Sequence, residues 1–220
     1  RLCHLNLRTG QLRLLLDDPK GGVRDPHVNY DGQRILFSYR PGGTPAYHLY
    51  EISTDGSGLR QLTDGPDDDI EPVYLPCGDI VFCSGRCRRF VPCWYTRVAI
   101  LARCDADGGN VRLLSSNAEQ ENTPWVLPDG RVLYMRWEYV DRNFGDAQGL
   151  WTCNPDGTNH QIYFKNHTAS PGAVLDGRII PGTELFVSTF SSCHDRPWGA
   201  IATCDRRRGL DGKSPVLRTW

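Results

Sequence analysis

An all-β fold, a β-propeller of four-stranded blades with an incomplete ring, follows from three observations. First, the pattern Pro, five residues, Gly occurs four times: Asp25-Pro26…Asp31-Gly32, Glu71-Pro72…Cys77-Gly78, Thr123-Pro124…Asp129-Gly130 and Ser170-Pro171…Asp176-Gly177, at steps of 46, 52 and 47 residues. A fixed period of this size marks an array of one supersecondary unit. Second, each turn precedes a short run rich in β-branched and aromatic residues, of a length that suits a strand buried on both faces. Third, Asp-Gly turns recur at Asp55-Gly56, Asp107-Gly108 and Asp156-Gly157, where Gly takes positive φ without steric cost. No segment shows sustained helical periodicity.

The elements follow in order. Leu2–Leu7, a turn at Thr9-Gly10 and Leu12–Leu16 read as the last two strands of a preceding blade, over residues 1–18. Three complete blades are expected at 25–65, 69–117 and 119–165. Each has a short extended piece after the Pro, such as Val73-Tyr74-Leu75. The second strands are Arg34–Ser38, Ile80–Cys83 and Val132–Met135, and the third are His48–Ile52, Val98–Ala102 and Leu150–Cys153. Leu59–Leu62, Val111–Leu114 and Gln161–Phe164 close the units. A last, partial blade at 170–220 contains the run Leu185–Ser188. A ring typically needs about 4–8 blades, so the 220 residues read as one propeller domain belonging to a larger protein.

Composition narrows the partners. With 25 basic and 26 acidic residues the net charge is −1, which leaves no broad footprint for nucleic acid. Arg206-Arg207-Arg208 reads as a solvated loop, and no apolar run is long enough for a membrane span. Nine Cys is an odd number, so at least one thiol is unpaired within the chain. Both a disulfide-bearing exported protein and a protein with free or ligating thiols fit this count.

Alternating strand direction places the loop between strands two and three on the same face as the link between blades. That face gathers Arg86, Cys87, Arg88, Arg89, Cys93, Trp94 and Tyr95 from one blade. The next contributes Arg136, Trp137, Glu138, Tyr139, Asp141 and Arg142, and the last contributes Cys193, His194, Asp195 and Arg196. The links add Arg24, Asp25, Asp67, Asp68, Asp69, Glu71, Glu119, Glu121 and Asn122. Insertions gathered on one face of a repeat array mark the working face. Cys83, Cys87 and Cys93 are the candidate metal ligands, since thiolates suit zinc; a disulfide or buried thiols is the favoured alternative, because C-x-x-C pairs are missing. The Asp67–Asp69 run with Glu71 reads as a solvated link in preference to a calcium site. His27 and His48 read as packing or hydrogen-bonding residues. Trp137–Arg142 is either a ligand platform or interblade packing with an Arg–carboxylate pair. The chain contains no G-x-S-x-G, P-loop or H-E-x-x-H, so no catalytic residue is assigned and activity of this piece alone is not expected.

Leu59-Arg60-Gln61-Leu62-Thr63 after Asp55-Gly56 resembles the TolB-type propeller repeat. Three longer strings narrow this. They are Gly22–Pro26 leading into Tyr30-Asp31-Gly32, Asp69–Pro76 leading into Phe82–Cys87, and Asn122–Gly130 with Arg136–Arg142. Together they resemble the middle domain of the hydrazine synthase alpha subunit family, over about residues 20–205. The resemblance implies an extracytoplasmic, periplasmic redox protein in which the propeller sits beside c-type haem domains. It also implies a zinc approached by a cysteine, here Cys83 or Cys87. This chain lacks C-x-x-C-H, so no haem is attached within it, and Cys77 replaces the Asp of one Asp-Gly turn. The expected function is a non-catalytic scaffold that docks a neighbouring domain or subunit. The alternatives are a TolB-like module binding a protein or peptide, and the accessory propeller of a serine peptidase.

Overall fold

The computed structural model describes residues 1–140, 147–192 and 198–220. The strands β1 (Leu2–Leu5) and β2 (Leu12–Leu16) form a two-stranded sheet. Blade 1 contains β3 (Gly22–Val28), β4 (Arg34–Arg40), β5 (His48–Ser53) and β6 (Arg60–Gln61). Blade 2 contains β7 (Asp69–Tyr74), β8 (Ile80–Ser84), β9 (Ile100–Cys104) and β10 (Arg112–Leu113). Blade 3 contains β11 (Glu121–Val126), β12 (Val132–Trp137), β13 (Gln148–Cys153) and β14 (Gln161–Phe164). Blade 4 contains β15 (Ala173–Ile179), β16 (Leu185–Ser191), β17 (Gly199–Asp205) and β18 (Val216–Thr219). Within each blade, neighbouring strands are antiparallel. The sheets do not close into a ring.

The strands of blades 1 to 3 read as continuous apolar runs because these blades are covered on both faces. A buried core lies between each pair of successive sheets, with a second cluster of Val91, Val98, Ile100, Met135 and Trp137 between blades 2 and 3. Leu2, Leu15 and Leu16 meet Ile35, Phe37, Tyr39, Tyr50 and Ile52 of blade 1. Leu36, Leu49 and Leu62 of blade 1 meet Tyr74, Ile80, Phe82, Ala102 and Cys104 of blade 2. Val81, Cys83, Leu101 and Leu114 of blade 2 meet Val132, Tyr134 and Cys153 of blade 3. Leu127, Leu133, Leu150 and Phe164 of blade 3 meet Val174, Phe186, Ala202 and Cys204 of blade 4.

The innermost strand of every blade carries the same bulge. Its register breaks at Arg24/His27, Ile70/Val73, Asn122/Trp125 and Leu175/Arg178. The bulge residues are Asp25, Glu71, Thr123 and Asp176, with φ of 55°, 56°, 54° and 53°. This corrects the fourth copy of the repeat. Asp176-Gly177 occupies the place of Asp25-Pro26, not that of Asp31-Gly32, and the following turn is at Pro181-Gly182, where Thr183 N–H donates to Ile180 O. At Gly177, where the other blades have Pro, a Cβ would lie 2.8 Å from Leu150 Cδ1. In blade 2 the third strand begins at Ile100 rather than Val98, whose N–H donates to Arg89 O across the preceding loop.

Candidate functional site

The four bulged strands converge on a cavity of about 930 Å³ at the loop face. Its wall carries Arg24, Asp25, Glu71, Asn122, Thr123 and Asp176. Two residues further along the same strands stand His27, Val73, Trp125 and Arg178. The rim comes from the long loop of blade 2, through Val91, Cys93, Trp94 and Thr96, and from Gln120, Trp137, Gln148 and Ser192.

Hydrogen bonds step from bulge to bulge around this cavity. Asp25 Oδ2 accepts from Arg24 Nε at 2.6 Å, from Ser38 Oγ at 3.2 Å and from the backbone N–H of Glu71 at 3.2 Å. Glu71 in turn accepts from Arg24 Nη2 at 3.0 Å and from the backbone N–H of Thr123. Burial pushes the Glu71 carboxyl above the usual carboxylate range, against these hydrogen bonds. Arg178 packs 4.6 Å over the Trp125 ring, with Asp176 at 3.6 Å. His27 meets Trp125 edge-on at 5.5 Å. Burial, and then the Arg178 charge, depress the His27 pKa to about 4, so its ring is neutral near pH 7.

Of the loop-face residues singled out by sequence, Arg24, Asp25, Glu71, Cys93, Trp94, Asn122 and Trp137 line this one cavity. Asp69 and Glu121 are fully buried inside the blades. Asp69 accepts from Arg86 Nη2 and Ser84 Oγ, both at 2.7 Å. Glu121 accepts from Leu101 N–H at 3.0 Å and Ser115 Oγ at 2.8 Å, with Arg136 at 3.6 Å. Arg136 also packs 4.8 Å over Trp151. The Arg136–Glu121 pair lies just before the Trp137 stretch and within blade 3; Trp137 itself joins the buried cluster of Val98, Ile100 and Met135, packs against Tyr139 at 5.7 Å and reaches the cavity wall. Glu138 pairs through its backbone with Ala147. Asp141, Arg142, Cys193, His194, Asp195 and Arg196 lie outside the described residues.

Of the Asp67–Asp69 run only Asp68 is exposed, which corrects the expectation of a solvated link. Asp67 is buried and accepts from Arg88 Nε and Arg97 Nη1, each at 3.2 Å, and so ties both ends of the blade 2 loop to the link. Asp68 accepts from Tyr47 N–H at 2.7 Å. The three candidate thiols do not assemble into a ligand set. Cys83 is buried in the core between blades 2 and 3, Cys87 donates to Val98 O at 3.2 Å, and Cys93 is exposed on the rim. Burial and the neighbouring Glu71 and Glu121 push the Cys83 thiol far up. Among the described residues no group of three or more His, Cys, Asp or Glu side chains is placed to hold a metal ion; the three residues do not fit zinc.

Sequence reasoning missed the cavity roles of His27, Trp125 and Arg178. A usable signal was present, because all three stand two residues after a bulge position. The misplaced fourth copy hid Arg178.

Large exposed aromatics crown the same face. Phe90, Trp94, Tyr95 and Trp198 are 55%, 70%, 89% and 73% exposed. They stand on the loops between strands two and three of blades 2 and 4. Among the described residues no helix is long and apolar enough to cross a membrane.

No protein-family model matches the chain. It is 33% identical to hydrazine synthase subunit alpha of Kuenenia stuttgartiensis over 88 residues, covering 39% of this chain and 10% of that protein. The solved Kuenenia stuttgartiensis hydrazine synthase superposes on 91% of this chain and 33% of its own, with TM-score 0.79 and 20% identity. TolB from Acinetobacter baumannii superposes on 91% of this chain and 45% of its own, with TM-score 0.63 and 14% identity. An oligogalacturonate lyase in complex with manganese matches 94% of this chain and 57% of its own, with TM-score 0.63 and 13% identity. The chain thus spans a tenth of the curated relative and a third of the solved one. It is an open stretch of TolB-like β-propeller, similar in sequence and in fold to the hydrazine synthase alpha subunit.

Proposed function

We propose that this propeller is a non-catalytic scaffold of a larger extracytoplasmic redox protein and docks a haem-bearing neighbouring domain or subunit on its loop face. One observation carries the reading: Phe90, Trp94, Tyr95 and Trp198 stand exposed on the loops of this face, with Trp94 on the cavity rim. Exposed aromatic side chains gathered on one surface mark interaction sites, and Trp and Tyr dominate the binding energy of protein interfaces. The similarity to a subunit of a much longer protein supports a partner within the same assembly. Inside the cavity, Asp25 and Glu71 are already engaged by Arg24 and by backbone N–H groups, as suits a structural hub. The docking test replaces Trp94 and Tyr95 together with Ser in the native protein. We expect the haem-bearing partner, followed by its Soret absorbance, to co-purify at least tenfold less well, with the melting temperature unchanged. Full retention of the partner would overturn the docking face, and a native protein without Soret absorbance would overturn the haem reading.

The cavity favours a second reading, a TolB-like site for an inserted peptide. The same double substitution separates the two, because an extended peptide seated on the wall residues depends on Arg24 and Arg178 more than on the exposed rim.

A further inference from the structure

Each bulged strand gives the cavity wall the residue two places past its bulge. Blades 1, 2 and 3 supply His27, Val73 and Trp125, none of them charged near pH 7. Blade 4 supplies Arg178. Its Nη1 donates to Gly177 O at 2.9 Å, and the guanidinium packs 4.6 Å over the Trp125 ring. Asp176 stands 3.6 Å from Nη2, beyond hydrogen-bond distance, with a side chain 57% exposed. Burial holds the Arg178 pKa below its ordinary value in spite of Asp176 and Glu71, so the cation has lost more solvent than its neighbours replace. Arg24, the other cation of the wall, is in the opposite condition. It is bound to Asp25 at 2.6 Å and to Glu71 at 3.0 Å. These two carboxylates outweigh burial and hold its pKa above the ordinary value.

The remaining wall is of another kind. Val91, Trp94, Met135, Trp137 and Leu175 line it with apolar surface. The volume of about 930 Å³ suits an organic molecule or the end of a chain, since such sites span roughly 300–1,000 Å³. A guanidinium offers parallel donors that match the plane of a carboxylate, and the contact with Trp125 holds that plane in place. A doubly charged anion suits the site less well, because Asp25, Glu71 and Asp176 stand on the same wall.

We propose that the cavity binds a monocarboxylate with an apolar body, and that Arg178 is the anchor of the carboxylate. The carboxylate takes the guanidinium donors that Gly177 O leaves unused, and the body lies along Trp125, Met135 and Trp137. Two sources share this chemistry: a small carboxylic acid, and the C-terminal carboxylate of a peptide. The proposal rests on the reading of the cavity as a ligand site and is independent of docking on the exposed rim.

Equilibrium dialysis of the native protein against 4-phenylbutyrate, set beside the neutral 4-phenylbutanamide, tests the anchor. The acid should bind at least about tenfold more tightly than the amide. Arg178→Gln should remove that advantage and leave the affinity for the amide unchanged, and Arg178→Lys should restore only part of it. Equal binding of acid and amide to the wild-type protein would overturn the proposal, whether or not the variants fold. Inorganic phosphate that competes as well as 4-phenylbutyrate would overturn the apolar half and leave a bare anion site. The source is read with acetyl-Ala-Ala-Phe, carrying either a free or an amidated C-terminus. If the free peptide binds more tightly than 4-phenylbutyrate, the anchor holds a chain end; if it binds more weakly, the anchor holds a small acid. Free and amidated peptides that bind equally well would overturn the anchor and keep the peptide reading of the cavity. Binding of none of these compounds would overturn both.

Discussion

Cys104, Cys153 and Cys204 occupy one position of the repeat, on the third strand opposite Ile80, Val132 and Phe186, where blade 1 has Ile52 opposite Ile35. Each thiol fills a small apolar site between blades, and burial pushes its pKa to about 12. Reaction with iodoacetamide requires thiolate. At pH 8.5, therefore, Cys3, Cys77 and Cys93 should be alkylated in the folded protein, and Cys83, Cys104, Cys153 and Cys204 only after unfolding. Rapid labelling of Cys153 in the native state would show that the core opens. His27 behaves differently, since its folded pKa of about 4 lies below its ordinary 6.5. A depressed pKa contributes stability that is present above about pH 6.5 and lost as the pH falls through 4. The advantage of wild type over His27→Gln in urea unfolding should shrink by about 2 kcal/mol between pH 7 and pH 4, allowing for solvent screening of a half-buried ring. Comparing the two proteins cancels the opposite trend from Glu71, whose raised pKa removes stability as the pH rises. An advantage independent of pH would sink the assignment.

At the scale of elements, the turn between strands three and four locks each blade to the one before it. A Cβ on Gly108 would lie 2.0 Å from Leu62 O, and one on Gly157 would lie 2.5 Å from Leu114 O, with φ of 91° and 83°. Asp-Gly is needed there for close approach as well as for its backbone conformation. Gly130, in the turn between strands one and two of blade 3, has φ of 87° but nothing within 4 Å of its Cβ position. Gly108→Ala should therefore cost roughly 3 kcal/mol and Gly130→Ala about 1 kcal/mol in chemical denaturation. Equal costs would mean that only the backbone conformation matters. Strand positions and the Asp-Gly turns were legible because apolar runs and turn chemistry are local. The fourth bulge was not, since Asp-Gly serves both as a turn and, at 176–177, as a bulge, and only pairing across β15 and β16 distinguishes them.

Across the whole molecule, stability resides between the blades. Leu101 is completely buried in the core between blades 2 and 3, while Ile201, its counterpart in blade 4, is half exposed. Within the 220-residue chain, Leu101→Ala should cost about 2–5 kcal/mol and Ile201→Ala under about 1 kcal/mol. Similar losses would show that the front of blade 4 is already covered. The polar groups follow the same logic. Asp67 and Asp69 read as solvated in a local window, yet the buried space between links and loops holds them against Arg88, Arg97 and Arg86, as it holds Glu121 against Ser115.

The repeat period, the four-strand unit and the loops that share one face are properties of the sequence by itself, because they depend on residue spacing and on the alternating direction of strands. Tertiary structure decided which residues meet. It brought Arg24, His27, Glu71, Trp125 and Arg178, distant in sequence, to one cavity, and it separated Cys83, Cys87 and Cys93, which lie within one short segment. The physical reason is that equivalent positions of different blades share one axis, whereas Cys83 lies on a buried strand, Cys87 in the helical turn Gly85–Cys87 that follows it and Cys93 on the exposed loop beyond.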